Sequence, residues 1–287
     1  MLYSFVAYEQ SAIDINILYY IMHKMKPYKD ILFVTGNEPI HNFFVEKVIE
    51  ELAVKYFDVV KYYSGISNFD YFSKIYDYEQ MNVSERAYFS DFLKRRTEII
   101  SRKDICFRYD NEAIFNSIAH FNEYLDKIIG QTHYKVILSF ACPVITSDSF
   151  FQEDMQTVNI HMGLSKYYRG GDSNIYALDK QEYDRVGLTA HKLAKYVDSG
   201  HILFELSLAD IEERDYRQSK IMELTLNLMT EAIIILTTKI KSSQLIYSAK
   251  PDLKSTFNLK NSNITIENII NAERNLSLRH SRLHNKT

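Results

Sequence analysis

Short apolar runs alternate with amphipathic helical patterns in the first part of the chain, and this alternation restricts the fold more than any other feature. Ile31 to Val34 has the length of a buried strand, and a helical pattern follows it (Phe44, Val45, Val48, Ile49, Leu52 and Ala53). A second apolar run, from Val59 to Tyr63, predicts another strand. Because strand, helix and strand in that order favour a parallel pair with a crossover helix, the sequence predicts an α/β fold.

The alternation continues to about residue 140. It predicts a third strand near Ile105 to Arg108, a helix after Asn111 (bearing Ile114, Ile118, Phe121, Leu125 and Ile128) and a fourth strand from Lys135 to Phe140. Two later segments, Val186 to Leu193 and Ile202 to Glu205, predict an antiparallel pair. We therefore expect a Rossmann-like, mostly parallel sheet with flanking helices and a short C-terminal appendage.

The expected domain organisation follows from the extent of this pattern. Residues 1–242 are predicted to form one α/β domain, which includes an N-terminal extension over 1–30 with a helical pattern of its own. An aromatic-rich insert is expected over 64–103. The longest helical pattern, over 215–242, is followed by a small C-terminal appendage over 243–287.

The insert carries two local signals. Asn82 and Glu85 have the spacing of a capping box, which predicts a helix from about residue 83. The basic run Lys94-Arg95-Arg96 is predicted to be a solvated helix end.

The composition limits the classes of function. With 34 basic and 37 acidic residues the formal charge is −3, which lacks the overall basic character of nucleic-acid-binding proteins. Cys106 and Cys142 are predicted to be buried free thiols, because neither has the Cys or His neighbours of a zinc site. The start of the chain lacks a signal-peptide pattern, and no stretch has the ~18 uninterrupted apolar residues of a membrane span. We therefore expect a cytoplasmic protein that binds neither nucleic acid nor membrane.

Three polar residues near predicted strand ends have the chemistry of an acyl-transfer site. Asn159 and His161 are two residues apart on a short predicted strand, so both side chains project from one face. Asp198 begins a turn between the two later strands. An amide and an imidazole can donate hydrogen bonds to the oxyanion that forms at an attacked carbonyl, and a carboxylate can hold the imidazole and relay a proton. This combination suits transfer of an acyl group to an amine.

Four ordered motifs lie in this region, and the first and the last of them contain these three residues. They are Asn159-Ile160-His161, Tyr168-Arg169-Gly170, Gly187-Leu188-Thr189-Ala190-His191 and Asp198-Ser199-Gly200-His201-Ile202-Leu203. Together they resemble the folate-dependent formyltransferase family, whose pattern is Asn-x-His, Tyr-Arg-Gly, Gly-x-Thr-x-His and Asp-x-Gly-x-Ile-Leu. The chain departs from many relatives directly after the histidine, where Met162-Gly163-Leu164-Ser165-Lys166 replaces Pro-Ser-Leu-Leu-Pro.

The resemblance implies a role for several residues. By it, Asn159, His161 and Asp198 are catalytic and assist a tetrahedral intermediate, and 10-formyltetrahydrofolate is the formyl donor, with no metal. The residues implied in folate binding are Cys142, Pro143, Val144, Ile145 and Gly163. Those implied in substrate binding are Tyr168, Arg169, Gly170 and His191. Because relatives often dimerise, a homodimer is also expected.

The acceptor amine is expected to belong to a nucleotide-linked amino-deoxysugar, as used for surface polysaccharides such as O-antigen. The short tail after residue 243 and the negative charge argue against methionyl-tRNA. The turn Thr35-Gly36-Asn37-Glu38-Pro39 is a poor phosphate cradle for glycinamide ribonucleotide. Aromatic residues of the insert are candidates for stacking on a nucleotide base. The alternatives are another small amine, hydrolysis that releases formate, and a non-catalytic relative that binds a nucleotide.

Overall fold

The computed structural model describes residues 27–65, 67–101, 109–213, 219–248, 250–252, 254, 256–259 and 264–284. The strands of its main sheet are β1 (Tyr28–Gly36), β2 (Phe57–Tyr62), β3 (Glu112–Phe115), β4 (His133–Phe140), β5 (Thr157–His161), β7 (Gly187–His191) and β8 (Ile202–Ser207). Two short strands, β6 (Tyr168–Gly170) and β9 (Phe257–Leu259), form a separate sheet. The helices are α1 (Pro39–Leu52), α2 (Asn68–Ile75), α3 (Val83–Ser101), α4 (Ile118–Gln131), α5 (Ser173–Asp179), α6 (Leu208–Glu212), α7 (Ile221–Lys241) and α8 (Ile266–His284).

The main sheet has the strand order β3-β2-β1-β4-β5-β7-β8. Strands β1 to β5 run parallel to one another, and β7 pairs antiparallel with both β5 and β8. This topology confirms the predicted α/β class with a Rossmann-like, mostly parallel sheet, and it confirms the antiparallel pair. The strand order reverses between β1 and β4, and a crevice at the carboxyl ends of the strands is expected there.

The sheet separates two hydrophobic cores, which explains the continuous apolar run in β1. Ile31 and Phe33 belong to a large core that also contains the apolar residues of α1 and α7. Leu32 and Val34 belong to a smaller core with residues of α4. A central parallel strand that is covered on both faces needs apolar residues at every position.

One part of the predicted order is wrong. Ile114 lies in strand β3, not in a helix, and the following helix begins only at Ile118. Strand β3 pairs in parallel with β2, which places Glu112 in a buried ion pair with Lys61. The side chain of Ser117 accepts a hydrogen bond from the backbone of His120 and caps the helix at its observed start. The strand predicted near Ile105 to Arg108, like Cys106, lies outside the described residues.

The aromatic-rich segment folds as predicted at its capping box. The backbone N–H of Asn82 donates to the Glu85 carboxylate (2.8 Å), and the backbone N–H of Glu85 donates to the Asn82 side chain (3.0 Å). Helix α3 therefore begins at Val83. The prediction of a solvated basic run holds for the exposed Lys94 but is wrong for the two arginines, because Arg95 pairs with Glu273 (2.7 Å) and Arg96 pairs with Glu38 (2.6 Å), both as partly buried pairs.

Helix α7 is the main core helix. By length and composition it could cross a membrane, but 61% of its most apolar window is buried inside the protein. Leu228, Met229 and Leu236 are fully buried in the large core. Residues 1–26, which include the predicted N-terminal helix, lie outside the described residues, and residues 28–30 belong to β1.

Candidate active site

Asn159 lies in the middle of β5 and is held by residues of the strands on either side. The register of the sheet places it beside Ser139 of β4 and His191 of β7. The Ser139 hydroxyl donates to Oδ1 of Asn159 (2.7 Å), and Nδ2 of Asn159 donates to Nε2 of His191 (3.1 Å). Nδ1 of His191 donates to the Lys192 carbonyl (2.8 Å), so the neutral ring has Nε2 available as an acceptor.

Asp198 joins this chain of hydrogen bonds to His161. It lies in a turn with a left-handed backbone (φ 47°), which Asp tolerates better than most residues. Its Oδ1 accepts from Nδ2 of Asn159 (3.2 Å) and lies 3.3 Å from Nε2 of His191. Its Oδ2 accepts from the backbone N–H of Gly170 (2.8 Å) and lies 3.2 Å from Nδ1 of His161. The three residues that the motifs single out therefore form one connected group.

The surroundings of Asp198 and His161 determine which of the two is ionised at neutral pH. Burial opposes ionisation of Asp198, but the nearby His161 ring and the Gly170 N–H outweigh it and hold its pKa well below the ordinary range. Burial lowers the pKa of His161, and the nearby Asp198 carboxylate only partly offsets this. At neutral pH the pair therefore consists of an ionised carboxylate and a neutral imidazole.

His161 faces an acceptor oxygen at each of its ring nitrogens. Nδ1 faces Asp198, and Nε2 lies 3.1 Å from the backbone carbonyl of Tyr168. A neutral ring can donate to only one of these oxygens, whereas a protonated ring can donate to both. The site is thus arranged to receive a proton on His161 during a reaction. Gly163 lies beside the ring, because a Cβ at this position would come within 2.6 Å of Nε2.

Two cavities meet at this group. The larger one, of about 440 Å³, is lined by Asn159, His161 and Asp198 together with residues of α1, α3, α5 and α7. The smaller one, of about 150 Å³, is mostly apolar and is lined by Cys142, Pro143, Val144 and Ile145, with Phe151, Leu193 and Tyr196 among its other residues. Both cavities share Cys142, Asn159, Val197 and Asp198. Molecules bound in the two cavities would therefore meet at the polar group.

No family model matches the chain, and no curated protein sequence matches it significantly. Among solved structures, the chain is similar to a sugar N-formyltransferase from a Shewanella species, with 13% identity, a TM-score of 0.49 and coverage of 86% of this chain and 87% of that chain. It is also similar to WlaRD, a sugar 3-N-formyltransferase, with 15% identity, a TM-score of 0.48 and coverage of 85% and 79%. A 4-N-formyltransferase from Francisella tularensis has 12% identity, a TM-score of 0.47 and coverage of 88% and 87%. All three are named N-formyltransferases. With TM-scores below 0.5, they leave the function of this chain to be inferred from its own residues.

The other residues singled out by the motifs occupy different places. Gly170 lines the larger cavity and His191 lines the smaller one. Tyr168 lines neither of the two, because its hydroxyl donates to Glu182 and its ring packs on Tyr176. Arg169 also lines neither, because its guanidinium donates to the Thr256 hydroxyl (2.9 Å) and the Val197 carbonyl (3.2 Å).

Cys142 is a free, half-buried thiol that lines both cavities. Burial raises the pKa of this thiol to about 12. It therefore remains protonated at neutral pH and acts as a small apolar wall residue, in keeping with the predicted free thiol. Within the described ranges, no three His, Cys, Asp or Glu side chains are grouped so as to hold a metal ion.

The polar residues of the larger cavity that no motif marks include His41, Arg96 and Asp172. His41 comes from the first turn of α1, Arg96 from α3 and Asp172 from the start of α5. Of these three, only Asp172 is close in sequence to a motif, two residues after Gly170. His41 and Arg96 reach the cavity through the tertiary fold, so no local pattern could identify them.

Proposed function

We propose that the chain transfers a formyl group from 10-formyltetrahydrofolate to the amine of a nucleotide-linked amino-deoxysugar. The observation that carries the proposal is the meeting of two cavities at Asn159 and Asp198, beside His161. Transfer of a group between two bound molecules requires such a junction, and the residues at it belong to the first and the last of the four ordered motifs. The smaller cavity is assigned to the donor and the larger one to the acceptor.

On the acceptor side, the neutral amine attacks the formyl carbon, forming a C–N bond and placing negative charge on the formyl oxygen. The Asn159 amide is the donor assigned to stabilise that oxyanion, through the N–H that bonds Asp198 in the free protein. Because Asn159 is held by Ser139 and His191, its amide is preorganised rather than free to rotate. The bond from the formyl carbon to the carrier nitrogen then breaks, and that nitrogen gains a proton.

The proton from the attacking amine is assigned to the His161–Asp198 pair. A neutral imidazole can accept this proton, and the ionised Asp198 carboxylate, 3.2 Å away, stabilises the resulting imidazolium. The Tyr168 carbonyl supplies the second hydrogen bond to the charged ring. The same pair can return the proton to the leaving nitrogen.

The smaller cavity has the chemistry expected for the ring system of a folate. Its lining is mostly apolar, and Val144 and Tyr196 are 61% and 69% exposed at its rim. Exposed apolar side chains around a cavity favour a flat apolar ligand that covers them. These observations support the assignment of Cys142, Pro143, Val144 and Ile145 to donor binding, and they add Tyr196 as a candidate for stacking.

The larger cavity adjoins a groove that suits a nucleotide base. Tyr62, Tyr63 and Tyr71 line this groove, and it shares His41 and Ala141 with the larger cavity. Tyr63 and Tyr71 are 39% and 38% exposed, so their rings are accessible for stacking. An acceptor with an amine at one end and a base at the other fits this arrangement. A homodimer and a cytoplasmic location stay predictions from the sequence.

The proposal is tested by incubating the protein with 10-formyltetrahydrofolate and a panel of nucleotide-linked 3-amino and 4-amino dideoxysugars. The expected result is the mass gain of one formyl group on one member of the panel. Release of formate without such a product would favour hydrolysis. Formylation of glycinamide ribonucleotide alone would replace the acceptor assignment, and absence of donor binding would overturn the proposal.

A further inference from the structure

A second polar group lines the larger cavity, and the proposed reaction does not use it. It consists of Glu38, His41, Arg96 and Asp172, here called the Arg96 cluster. Glu38 lies in the adjoining groove and the other three line the cavity. Among the described residues, no hydrogen bond or ion pair joins the cluster to Asn159, His161 or Asp198.

Asp172 presents a free acceptor to the cavity. Tyr76 donates to its Oδ2 (3.1 Å), whereas Oδ1 has no hydrogen-bond partner among the described residues. The residue has a left-handed backbone (φ 59°), which Asp and Asn adopt more readily than other side chains. Burial raises the pKa of this carboxyl, although Arg96 and Tyr76 oppose the shift.

Arg96 is the cation of the cluster. One guanidinium nitrogen donates to Glu38 (2.6 Å), and the guanidinium lies over the ring of Phe72, 4.5 Å from its centroid. Its Nε has no hydrogen-bond partner but is covered by protein, so a ligand in the cavity reaches only the other atoms of the side chain that line it. The remaining guanidinium nitrogen, Nη1, is the candidate donor to such a ligand.

His41 is held as a neutral donor. Its Nδ1 accepts from the backbone N–H of Glu38 (3.0 Å), which assigns the proton of the neutral ring to Nε2. Burial lowers the pKa of His41 to about 4, and Arg96 and Lys61 act in the same direction. The ring therefore stays uncharged at neutral pH while it lines the cavity.

Together these side chains offer both donors and an acceptor, and their net charge disfavours an anion beside Asp172. Two carboxylates, Glu38 and Asp172, surround one guanidinium, so the cluster as a whole is negative. Arg96 is the only Lys or Arg among the described residues that line this cavity. A phosphate or carboxylate would face two like charges, whereas a hydroxyl group can donate to Asp172 and accept from Arg96 or His41.

We propose that Asp172, His41 and Arg96 form a hydroxyl-binding subsite that selects the acceptor by its ring hydroxyls and rejects a phosphate or carboxylate in the same place. This inference rests on the proposed function for the position of the amine. The subsite fixes which part of the acceptor lies beside Asp172, namely the neutral hydroxylated ring.

The test compares the nucleotide-linked amino sugar with analogues that each lack one ring hydroxyl. kcat/KM is measured for the wild-type protein, Asp172→Asn and Asp77→Asn. Asp77 has the same left-handed backbone (φ 53°) but is exposed and lines neither cavity, so it controls for the substitution itself. The wild-type protein is expected to prefer the complete acceptor to one analogue by roughly tenfold or more, and Asp172→Asn is expected to lose most of this preference. The proposal is overturned if Asp172→Asn lowers kcat/KM by the same factor for the complete acceptor and for the analogue. It is also overturned if Asp77→Asn loses the preference between them to a similar extent.

If the protein formylates none of the amino sugars, that result counts against the proposed function. The subsite is then tested separately, by measuring the binding of small ligands. Methyl galactoside serves as a neutral polyol and galactose 6-phosphate as an anion, with binding followed by ligand-observed NMR. The wild-type protein is expected to bind the polyol more tightly, and Asp172→Asn is expected to shift the preference towards the phosphate. Tighter binding of the phosphate to the wild-type protein, or no binding of the polyol, overturns the subsite.

Discussion

Asp198 is the residue on which the whole candidate site depends, because it contacts Asn159, His161, His191 and the backbone of Gly170. Asp198→Asn preserves the shape of the side chain and tolerates the left-handed backbone, but it removes the charge that stabilises a protonated His161. We expect formyl transfer to fall by roughly 100-fold or more, with the fold retained. The measurement is single-turnover formyl transfer together with thermal unfolding, and Asp77→Asn serves as the control. Near-normal turnover by Asp198→Asn would exclude the assigned proton transfer.

The pH dependence of the reaction follows from His161. Its pKa lies below the ordinary value because of burial, and the ring must be neutral to accept the amine proton. As pH falls, kcat/KM for the acceptor is therefore expected to decrease, with a midpoint below about 6.5. Asp198 stays ionised across this range because its own pKa is strongly lowered. NMR titration of the His161 ring in Asp198→Asn gives an independent check: without the carboxylate, the midpoint should move to still lower pH.

Local sequence patterns predict only part of the site at the scale of residues. Asn159 and His161 are two apart on a strand, and Asp198 lies in a turn with its own motif, so each has a local signature. Arg96 has none, because its position in the cavity depends on how α3 packs and on its pair with Glu38. The basic run that contains Arg96 has the composition of a solvated helix end. Only the tertiary structure distinguishes a solvated arginine from a buried and paired one.

At the scale of elements, strand β6 holds the site together although it has only three residues. The Gly170 N–H donates to Asp198, the Tyr168 carbonyl faces His161, and strand β9 pairs with all three residues. Gly170 has φ 90°, and a Cβ there would come within 2.2 Å of the Leu259 carbonyl oxygen. We expect Gly170→Ala to separate β6 from β9 and to lower formyl transfer at least tenfold, since Asp198 loses a hydrogen bond. Activity and thermal unfolding are measured together.

The matched control for this prediction is Gly130→Ala in helix α4. A Cβ at Gly130 would meet no atom within 4 Å, and the residue is exposed. This variant should keep full activity and gain stability, by about 0.5 kcal/mol, because alanine reduces the entropy of the unfolded chain. If Gly170→Ala behaved in the same way as Gly130→Ala, β6 would have no role in positioning Asp198.

Strands are predicted well where an uninterrupted apolar run indicates that both faces of the sheet are covered, as in β1 and β4. The pattern fails at β3, where Ile114 is half exposed and the strand is fixed by pairing with β2 and by the Lys61–Glu112 ion pair. Ile114 and Ile118 are spaced as on one helix face, yet Ser117 caps the helix between them. Edge strands of this kind depend on long-range pairing, which a local window does not detect.

At the scale of the whole molecule, the tail after residue 243 is joined to the site rather than separate from it. Strand β9 pairs with β6, and helix α8 contacts α5 through Asn275, whose side chain donates to the Leu178 carbonyl (2.9 Å). The polar composition of the tail gives weak local signals, because only one face of α8 is buried. The structural role of such a segment can be inferred only when the elements that it contacts, here β6 and α5, are known.

Glu273 is the main link between the tail and the rest of the molecule. Its buried carboxylate accepts from Arg95 (2.7 Å), Tyr88 (2.6 Å), Lys220 (3.3 Å) and the backbone N–H of Ile221 (3.3 Å), which ties α8 to α3 and to the start of α7. Because Ile221 and Met222 line the larger cavity, this link also fixes one wall of the candidate acceptor site.

Replacing Glu273 by Gln leaves the partly buried Arg95 with only the exposed Asp91 carboxylate as a counter-charge. We expect Glu273→Gln to lower the free energy of unfolding by about 3 kcal/mol in urea denaturation. Glu267→Gln is the control, because Glu267 lies on the same helix but is exposed, and its replacement should cost less than about 1 kcal/mol. In the folded variant, KM for the acceptor should rise while donor binding is unchanged, because the start of α7 borders only the larger of the two cavities. Equal stability of the two variants would show that α8 is held by its apolar face alone.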